Sequence, residues 1–229
     1  MALRAIFFDA GNTLVFPNLE ITLAPLITRG VRPSQDQLYA AERIAKEHLD
    51  SAIQRRGSVD AAYWLTFYDH LLRELNIDDA ELLRDLERLA RTSKNWNRVL
   101  PGTREALQQL RKRFRLGVIS NSDGGIASLL KDTEIADCFD SITDSGIVGH
   151  EKPHPAIFNA ALKSMGIEAR ESIYVGDIYS VDFLGARAAG MEAILMDVSA
   201  AYPGTADPRI TSLGQLDEMI ARAASAGEI

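Results

Sequence analysis

The sequence predicts an α/β protein: a parallel sheet with helices on both faces, interrupted near its start by an α-helical insert. Three observations carry this. From Pro101 onward, short apolar strands and amphipathic helices alternate, the pattern that builds parallel sheets. One strand, Arg4 to Asp9, stands apart at the start of the chain. Between the two, residues 16–95 carry helical periodicity and no strand signal.

Taken in order, Ala5-Ile6-Phe7-Phe8 is an apolar run that ends on Asp9, followed by the turn residues Gly11 and Asn12. Leu19 to Thr28 reads as a helix interrupted by Pro25. Pro33 to Arg56 is a helix with Leu38, Ala41, Ala45, Leu49 and Ala52 on one face and Gly57 as its stop. Asp60 is the expected N-cap of the next helix. That helix bears two stripes, Leu65, Tyr68, Leu72 and Leu75 beside Trp64, Phe67 and Leu71, and is expected to be covered on two sides. Asp78 to Arg91 is a third, with Leu82, Leu83, Leu86 and Leu89.

Alternation follows. Pro101-Gly102-Thr103 opens a helix through Arg113, and Leu116 to Ser120 is a strand. Gly125 to Asp132 is a short helix, Ser141 to Thr143 a short strand, and Pro155 to Met165 a helix. Ser172 to Asp177 is a strand, Val181 to Ala189 a helix, and Glu192 to Asp197 a strand. The expected organisation is a core of residues 1–15 and 96–229 with a helical cap of residues 16–95. Two crossings, near Val15 to Pro17 and Lys94 to Leu100, would allow the cap a hinge motion.

The chain has 229 residues, 46% hydrophobic and 25% charged, with a net charge of −7. That balance argues against a nucleic-acid binder, whose surface would be basic. The basic run Arg111-Lys112-Arg113-Phe114-Arg115 ends a helix, where cations complement the dipole. Cys138 is the only cysteine and reads as a small buried hydrophobe, so no intrachain disulfide forms. No apolar run is long enough to span a membrane and no secretory signal is visible, so the expected location is cytoplasmic. Oligomeric state is left open.

Four segments carry chemistry: Asp9-Ala10-Gly11-Asn12-Thr13, Ser120-Asn121, Lys152-Pro153, and Gly176-Asp177 with Asp182. Sheets of this type place their sites at the carboxyl ends of strands, where Asp9, Ser120 and Asp177 all fall. A carboxylate, a hydroxyl, an ammonium and two further carboxylates suit phosphoryl transfer. Asp9 would attack phosphorus and form an aspartyl-phosphate. Asp177 and Asp182 would hold Mg²⁺. Lys152 would neutralise charge on the transferring group, and Ser120 would donate a hydrogen bond to it. Each segment alone is ordinary turn or loop chemistry; their ordered combination is the signal.

These residues resemble the haloacid dehalogenase superfamily of hydrolases over nearly the whole chain. The first aspartate of its D-x-D-x-T motif falls on Asp9, its strand-end Ser or Thr on Ser120, with Asn121 after it. Its lysine falls on Lys152, and its G-D-x-x-x-x-D segment on Gly176 to Asp182. The resemblance implies a Rossmann-like core, a mobile C1-type cap and a Mg²⁺-dependent phosphatase acting on a small phosphorylated metabolite. It implies catalytic roles for Asp9, Ser120, Asn121 and Lys152, with Ser120, Asn121 and Lys152 binding substrate. It also implies metal contact through Asp9, the backbone carbonyl of Gly11, Asp177 and Asp182.

Gly11 departs from the family pattern, which carries an aspartate there as general acid and base. The carbonyl is kept and the proton relay is lost. In this the chain is similar to the Reg-2-like group, which lacks the same aspartate. Activity is expected to be reduced, with good leaving groups favoured. Glu42, Glu47, His48, Asp69 and His70 are candidate replacements within the insert. His150 and His154 flank the lysine motif, where they could line the entrance; loop histidines without a role are commoner, and neither is counted as catalytic.

Two other readings stand beside the phosphatase. A 2-haloacid dehalogenase needs no proton for its leaving halide, but such relatives usually carry an aromatic at position 11 and lack the acidic metal pair. A non-catalytic metabolite-binding or regulatory protein would keep the fold and lose turnover. Cleavage of phosphonates through a Schiff base would need a lysine of the insert, either Lys46 or Lys94.

Overall fold

The computed structural model describes residues 2–56, 62–204 and 206–226, with side chains described to residue 222. The expected stop at Gly57 and the expected cap at Asp60 lie outside the described residues. Contacts divide the chain into two units. One comprises Met1–Phe16, Asn97–Asp197 and Ala206–Ile229; the other is Pro17–Trp96 with Val198–Thr205. The eight residues after the fifth strand thus group with the helices of the insert.

The first unit is built on six parallel strands in the order β3-β2-β1-β4-β5-β6. They are β1 Ala5–Phe8, β2 Arg115–Ser120, β3 Ser141–Asp144, β4 Ser172–Gly176, β5 Glu192–Met196 and β6 Arg209–Ile210. Every residue of β1 and β4 is buried, as a central strand with helices on both faces requires. The strand order turns back on itself at β1, so β1 and β4 flank the crevice where such sheets bind ligands. Phe7 pairs with Gly117 and with Tyr174 in register, and a side chain at Gly117 would collide with the Phe7 ring.

The second unit holds α1 Leu19–Thr22, α2 Ala24–Ile27, α3 Gln35–Arg56, α4 Tyr63–Glu74 and α5 Ala80–Ala90. Pro25 does not break a helix: it sits in the first turn of α2, where it costs no hydrogen bond. Asp79 caps α5 by accepting from the backbone N–H groups of Glu81 and Leu82. On α4, Phe67, Tyr68, Leu71 and Leu72 face one core with Leu26, Leu38 and Leu86, while Leu65 is exposed. The expected cover on two sides is therefore replaced by one broad apolar face.

The remaining helices, all in the first unit, are α6 Thr103–Arg111, α7 Ile126–Asp132, α8 Ser145–Val148, α9 Pro155–Met165, α10 Leu184–Ala188 and α11 Leu216–Ala226. The helix expected from Val181 begins earlier, as a π-helical turn over Tyr179–Phe183 that continues into α10. Cys138 is a buried free thiol. Among the described residues no helix is long and apolar enough to cross a membrane.

Candidate active site

The chain leaves β1 at Asp9, whose N–H still bonds to Val175 O of β4 at 2.8 Å. The loop that follows is tied tightly: Leu14 and Val15 both donate to Ala10 O, and Asn12 donates to Val15 O. Asn12 takes the left-handed conformation, with φ 51°. Gly11 is not among the described glycines of positive φ. Thr13 Oγ1, in the same loop, is buried without a hydrogen-bond partner.

Asp177 follows β4, and Asn12 Nδ2 donates to its Oδ2 at 3.4 Å. Asp182 enters from the π-helical turn, a form of helix that recurs at functional sites. Its Oδ2 accepts from the backbone N–H of Asp177 at 3.1 Å and of Ile178 at 3.0 Å, so the carboxylate is folded back under the strand end. Gly176 permits this: a Cβ there would stand 2.5 Å from Asp182 Cγ. Asp9, Asp177 and Asp182 thereby present oxygens that all lie within 4.8 Å of one another, on three buried residues.

An ammonium answers two of them. Lys152 Nζ lies 2.5 Å from Asp9 Oδ1 and 2.8 Å from Asp182 Oδ1, with its side chain 2% exposed. Its third close partner is Tyr174 Oη at 2.7 Å. Burial pushes the Asp9 carboxyl up to about 7; Lys152 opposes this, while Asp182 and Asp177 add to it. Burial alone would lower the Lys152 ammonium, but Asp182 and Asp9 outweigh it and hold it above the usual lysine range. The Tyr174 phenol is likewise raised, by burial first and then by Asp182 and Asp9.

Charge count tests the fit of a metal. Three carboxylates offer oxygens within 4.8 Å of one another and Lys152 pairs with two of them, Asp9 and Asp182, so acidic side chains outnumber the ammonium that meets them. The donors are hard oxygens of the kind Mg²⁺ prefers. The chemistry and charge of this cluster fit that ion.

The other expected residues are placed as follows. Ser120 ends β2, buried, in register with Asp144 of β3. Asn121 turns its carboxamide onto the peptide of Lys152: Nδ2 donates to Lys152 O at 3.0 Å, and Oδ1 accepts from Lys152 N at 2.7 Å. Its contact is with the lysine backbone, so it holds that loop. His150 and His154 stack on each other at 4.4 Å, and His154 Nδ1 caps α9 by accepting from Ala156 N. In the second unit Glu42 pairs with Lys46 at 2.8 Å, and Asp69 with Arg73 at 2.9 Å.

Two residues of this neighbourhood escaped the sequence reading. Tyr174 looked like an ordinary core residue of a buried strand. Asp144 ends a strand expected only over Ser141 to Thr143. Its carboxylate accepts from Gly146 N at 2.9 Å, Gly124 N at 3.0 Å, Ser122 Oγ at 3.1 Å and Ile126 N at 3.2 Å. Those bonds hold the loop that continues from Ser120 and Asn121. An aspartate two residues before a Gly-Ile-Val segment gives no sign of this, because its other three donors come from the loop of Ser122, Gly124 and Ile126.

Comparison with known proteins gives the family and the fold. A family description of haloacid dehalogenase-like hydrolases matches residues 3–190. The bovine (Bos taurus) haloacid dehalogenase-like hydrolase domain-containing protein 3 is 30% identical over 67% of this chain and 61% of its own length. A protein named glyceraldehyde 3-phosphate phosphatase, from Methanothermobacter thermautotrophicus, is 32% identical over 85% of this chain and 86% of its own. Among solved structures, the HAD-hydrolase YfnB of Bacillus subtilis, bound to magnesium, superposes with a TM-score of 0.70. It is 19% identical, over 96% of this chain and 99% of its own, and shares the fold.

A parallel sheet in this strand order, with acidic residues at the carboxyl ends of adjacent central strands, defines a Rossmann-like α/β fold with its candidate site at the switch point. The chain belongs to the haloacid dehalogenase-like hydrolase family and is an enzyme of it.

Proposed function

We propose that this protein is a Mg²⁺-dependent phosphatase that acts on a small phosphorylated metabolite through an aspartyl-phosphate on Asp9. The observation that carries it is the cluster itself: Asp9 at the end of β1, held by Lys152 at 2.5 Å, with Asp177 and Asp182 offering further oxygens within 4.8 Å. The phosphatase name of a relative at 32% identity supports the reaction class. A triose phosphate is the first substrate to try.

In this reading Asp9, Asp177, Asp182 and the Gly11 carbonyl hold the cation. When bound, the cation neutralises the clustered carboxylates and the incoming phosphate, and so favours the ionised, nucleophilic form of Asp9. A carboxylate oxygen of Asp9 bonds to phosphorus as the ester oxygen leaves, taking its proton from water. Water then cleaves the acyl phosphate, releasing phosphate and restoring Asp9. Lys152 balances charge on the transferring group, and Ser120 donates to it. Gly11 supplies no proton, so phenolate leaves more readily than alkoxide.

The cluster of three carboxylates weighs against the dehalogenase reading, which has no use for a cation. The test is release of p-nitrophenol from p-nitrophenyl phosphate, and of phosphate from glyceraldehyde 3-phosphate and a sugar phosphate panel, with Mg²⁺ and with chelator. Metal-dependent turnover that disappears in Asp9→Asn is expected. Tight binding of a phosphometabolite without turnover would favour the regulatory reading, and metal-independent chloride release from 2-chloropropionate the dehalogenase.

A further inference from the structure

Lys152 is fixed at both ends. At its backbone, the Asn121 carboxamide closes two hydrogen bonds, one on the N–H and one on the C=O of this residue. At its tip, an ammonium has three N–H donors, and three oxygens stand within reach: Asp9 Oδ1, Tyr174 Oη and Asp182 Oδ1. Two of the three acceptors are charged. The third is a neutral phenol that no motif assigns to the site.

We propose that Tyr174 is a positioning residue of this active site, whose hydroxyl holds the Lys152 ammonium in place while the charge on Asp9 changes. The proposal rests on the phosphatase reading above. Its logic is electrostatic. Asp9 attracts Lys152 only as long as it is a carboxylate. Once its oxygen bonds to phosphorus the carboxylate charge is gone and the negative charge sits on the phosphoryl oxygens instead, while Asp182 stays charged and 2.8 Å away, so the pulls on the ammonium change in place and strength. The phenol oxygen attracts the ammonium equally before and after. It keeps one N–H anchored, so that another remains directed at the reacting group.

The phenol is itself held. Its ring is fully buried in β4 and packs edge-on against Phe158, with centroids 5.4 Å apart. Having accepted from Lys152, its one proton is directed to Asp182 Oδ1 at 3.1 Å or Ile119 O at 3.2 Å. Lys152 is too buried for water to replace that oxygen at little cost. Without that anchor the ammonium is no longer aimed at the reacting group, and losing an oriented hydrogen bond from a charged donor to the transferring group slows a step by about 10- to 100-fold.

The test uses Tyr174→Phe, which removes one oxygen and keeps the ring, and Phe158→Leu, which disturbs the ring's packing and leaves the hydroxyl. Steady-state kinetics on p-nitrophenyl phosphate with Mg²⁺ should show kcat in Tyr174→Phe lower by at least about 10-fold, with KM changed by less than about 2-fold. Phe158→Leu should keep most of the wild-type kcat. Independently of turnover, ¹⁵N-lysine spectra of the metal-free protein should show a slowly exchanging ammonium, assigned to Lys152 by its absence in Lys152→Arg. Tyr174→Phe should accelerate that exchange. An unchanged kcat, an equal loss in Phe158→Leu, or an unaltered ammonium signal would each overturn the proposal. If the wild-type protein hydrolyses no phosphate ester while Tyr174→Phe still frees the ammonium, the phosphatase reading fails and the hold on Lys152 stands.

Discussion

The same sheet edge carries two buried acidic centres of opposite design. At β1 and β4, three carboxylates crowd within 4.8 Å of one another, and Lys152 pairs with two of them, Asp9 and Asp182. At the end of β3, Asp144 stands alone and is met by three backbone N–H groups and a hydroxyl. Helix and loop N–H groups can satisfy a buried carboxylate completely. The Asp144 centre is finished and serves architecture. In the Asp9 centre Asp182 is held by as many donors, two backbone N–H groups, Lys152 and Tyr174, but Asp9 and Asp177 stand beside it with like charge, an arrangement suited to a cation. Burial does not separate the two centres; the charge of their neighbours does.

The largest effect that can break this contrast is on turnover. Asp9→Asn should reduce metal-dependent release of p-nitrophenol by at least about 10³-fold while the far-ultraviolet circular dichroism stays unchanged. Wild-type activity in that variant would remove Asp9 from the chemistry.

Next comes the missing acid. Gly11→Asp should raise turnover of an alkyl phosphate by as much as about 10²-fold and of p-nitrophenyl phosphate much less, because only the poorer leaving group needs the proton. The glycine's φ does not stand in the way, since the left-handed residue of the loop is Asn12. Equal gains on both substrates would contradict the role given to position 11.

The two centres should then part in stability. In chelator, Lys152→Met should cost about 3–5 kcal/mol in urea denaturation, because it strands buried charge. Asp144→Ala should cost about 3 kcal/mol by orphaning its donors. Asp177→Asn should instead raise the metal-free melting temperature slightly, by relieving repulsion, and abolish the stabilisation that Mg²⁺ confers. A destabilised Asp177→Asn would mean the first centre is as complete as the second.

The smallest effect is the dependence on pH. Asp9 is raised to about 7 in the fold from an ordinary carboxylate value near 4 when unfolded. Its contribution is full below about 4 and is lost as pH rises through about 7, so the metal-free protein should weaken across that window. Mg²⁺ should accordingly raise the melting temperature more at pH 8 than at pH 6. A shift independent of pH would show that Asp9 does not meet the cation.

The fold was legible because its signals are local. The run Ala5 to Phe8, the strand Ser172 to Gly176 and the helix Pro155 to Met165 announce themselves by apolar pattern and punctuation. Missing from that reading were β6, two residues long, and α8, four residues long, both too short to show a period. Strand ends bearing Asp9 and Asp177 could be read, and the register sets those ends side by side. What could not be read is how partners are shared. Asn121 was expected to touch substrate, but its amide is engaged with a peptide thirty-one residues away. Tyr174 has the sequence of a core residue, and only the approach of Lys152 turns its hydroxyl toward the site.

Gly176 sets a limit on anyone who would re-engineer this protein. A single methyl group at that position would occupy the space now filled by Asp182. The collision would spread to the lysine that Asp182 grips, so a randomised library at this codon should return glycine alone among its active clones. One missing carbon atom therefore fixes how closely the floor of the catalytic crevice can be drawn together.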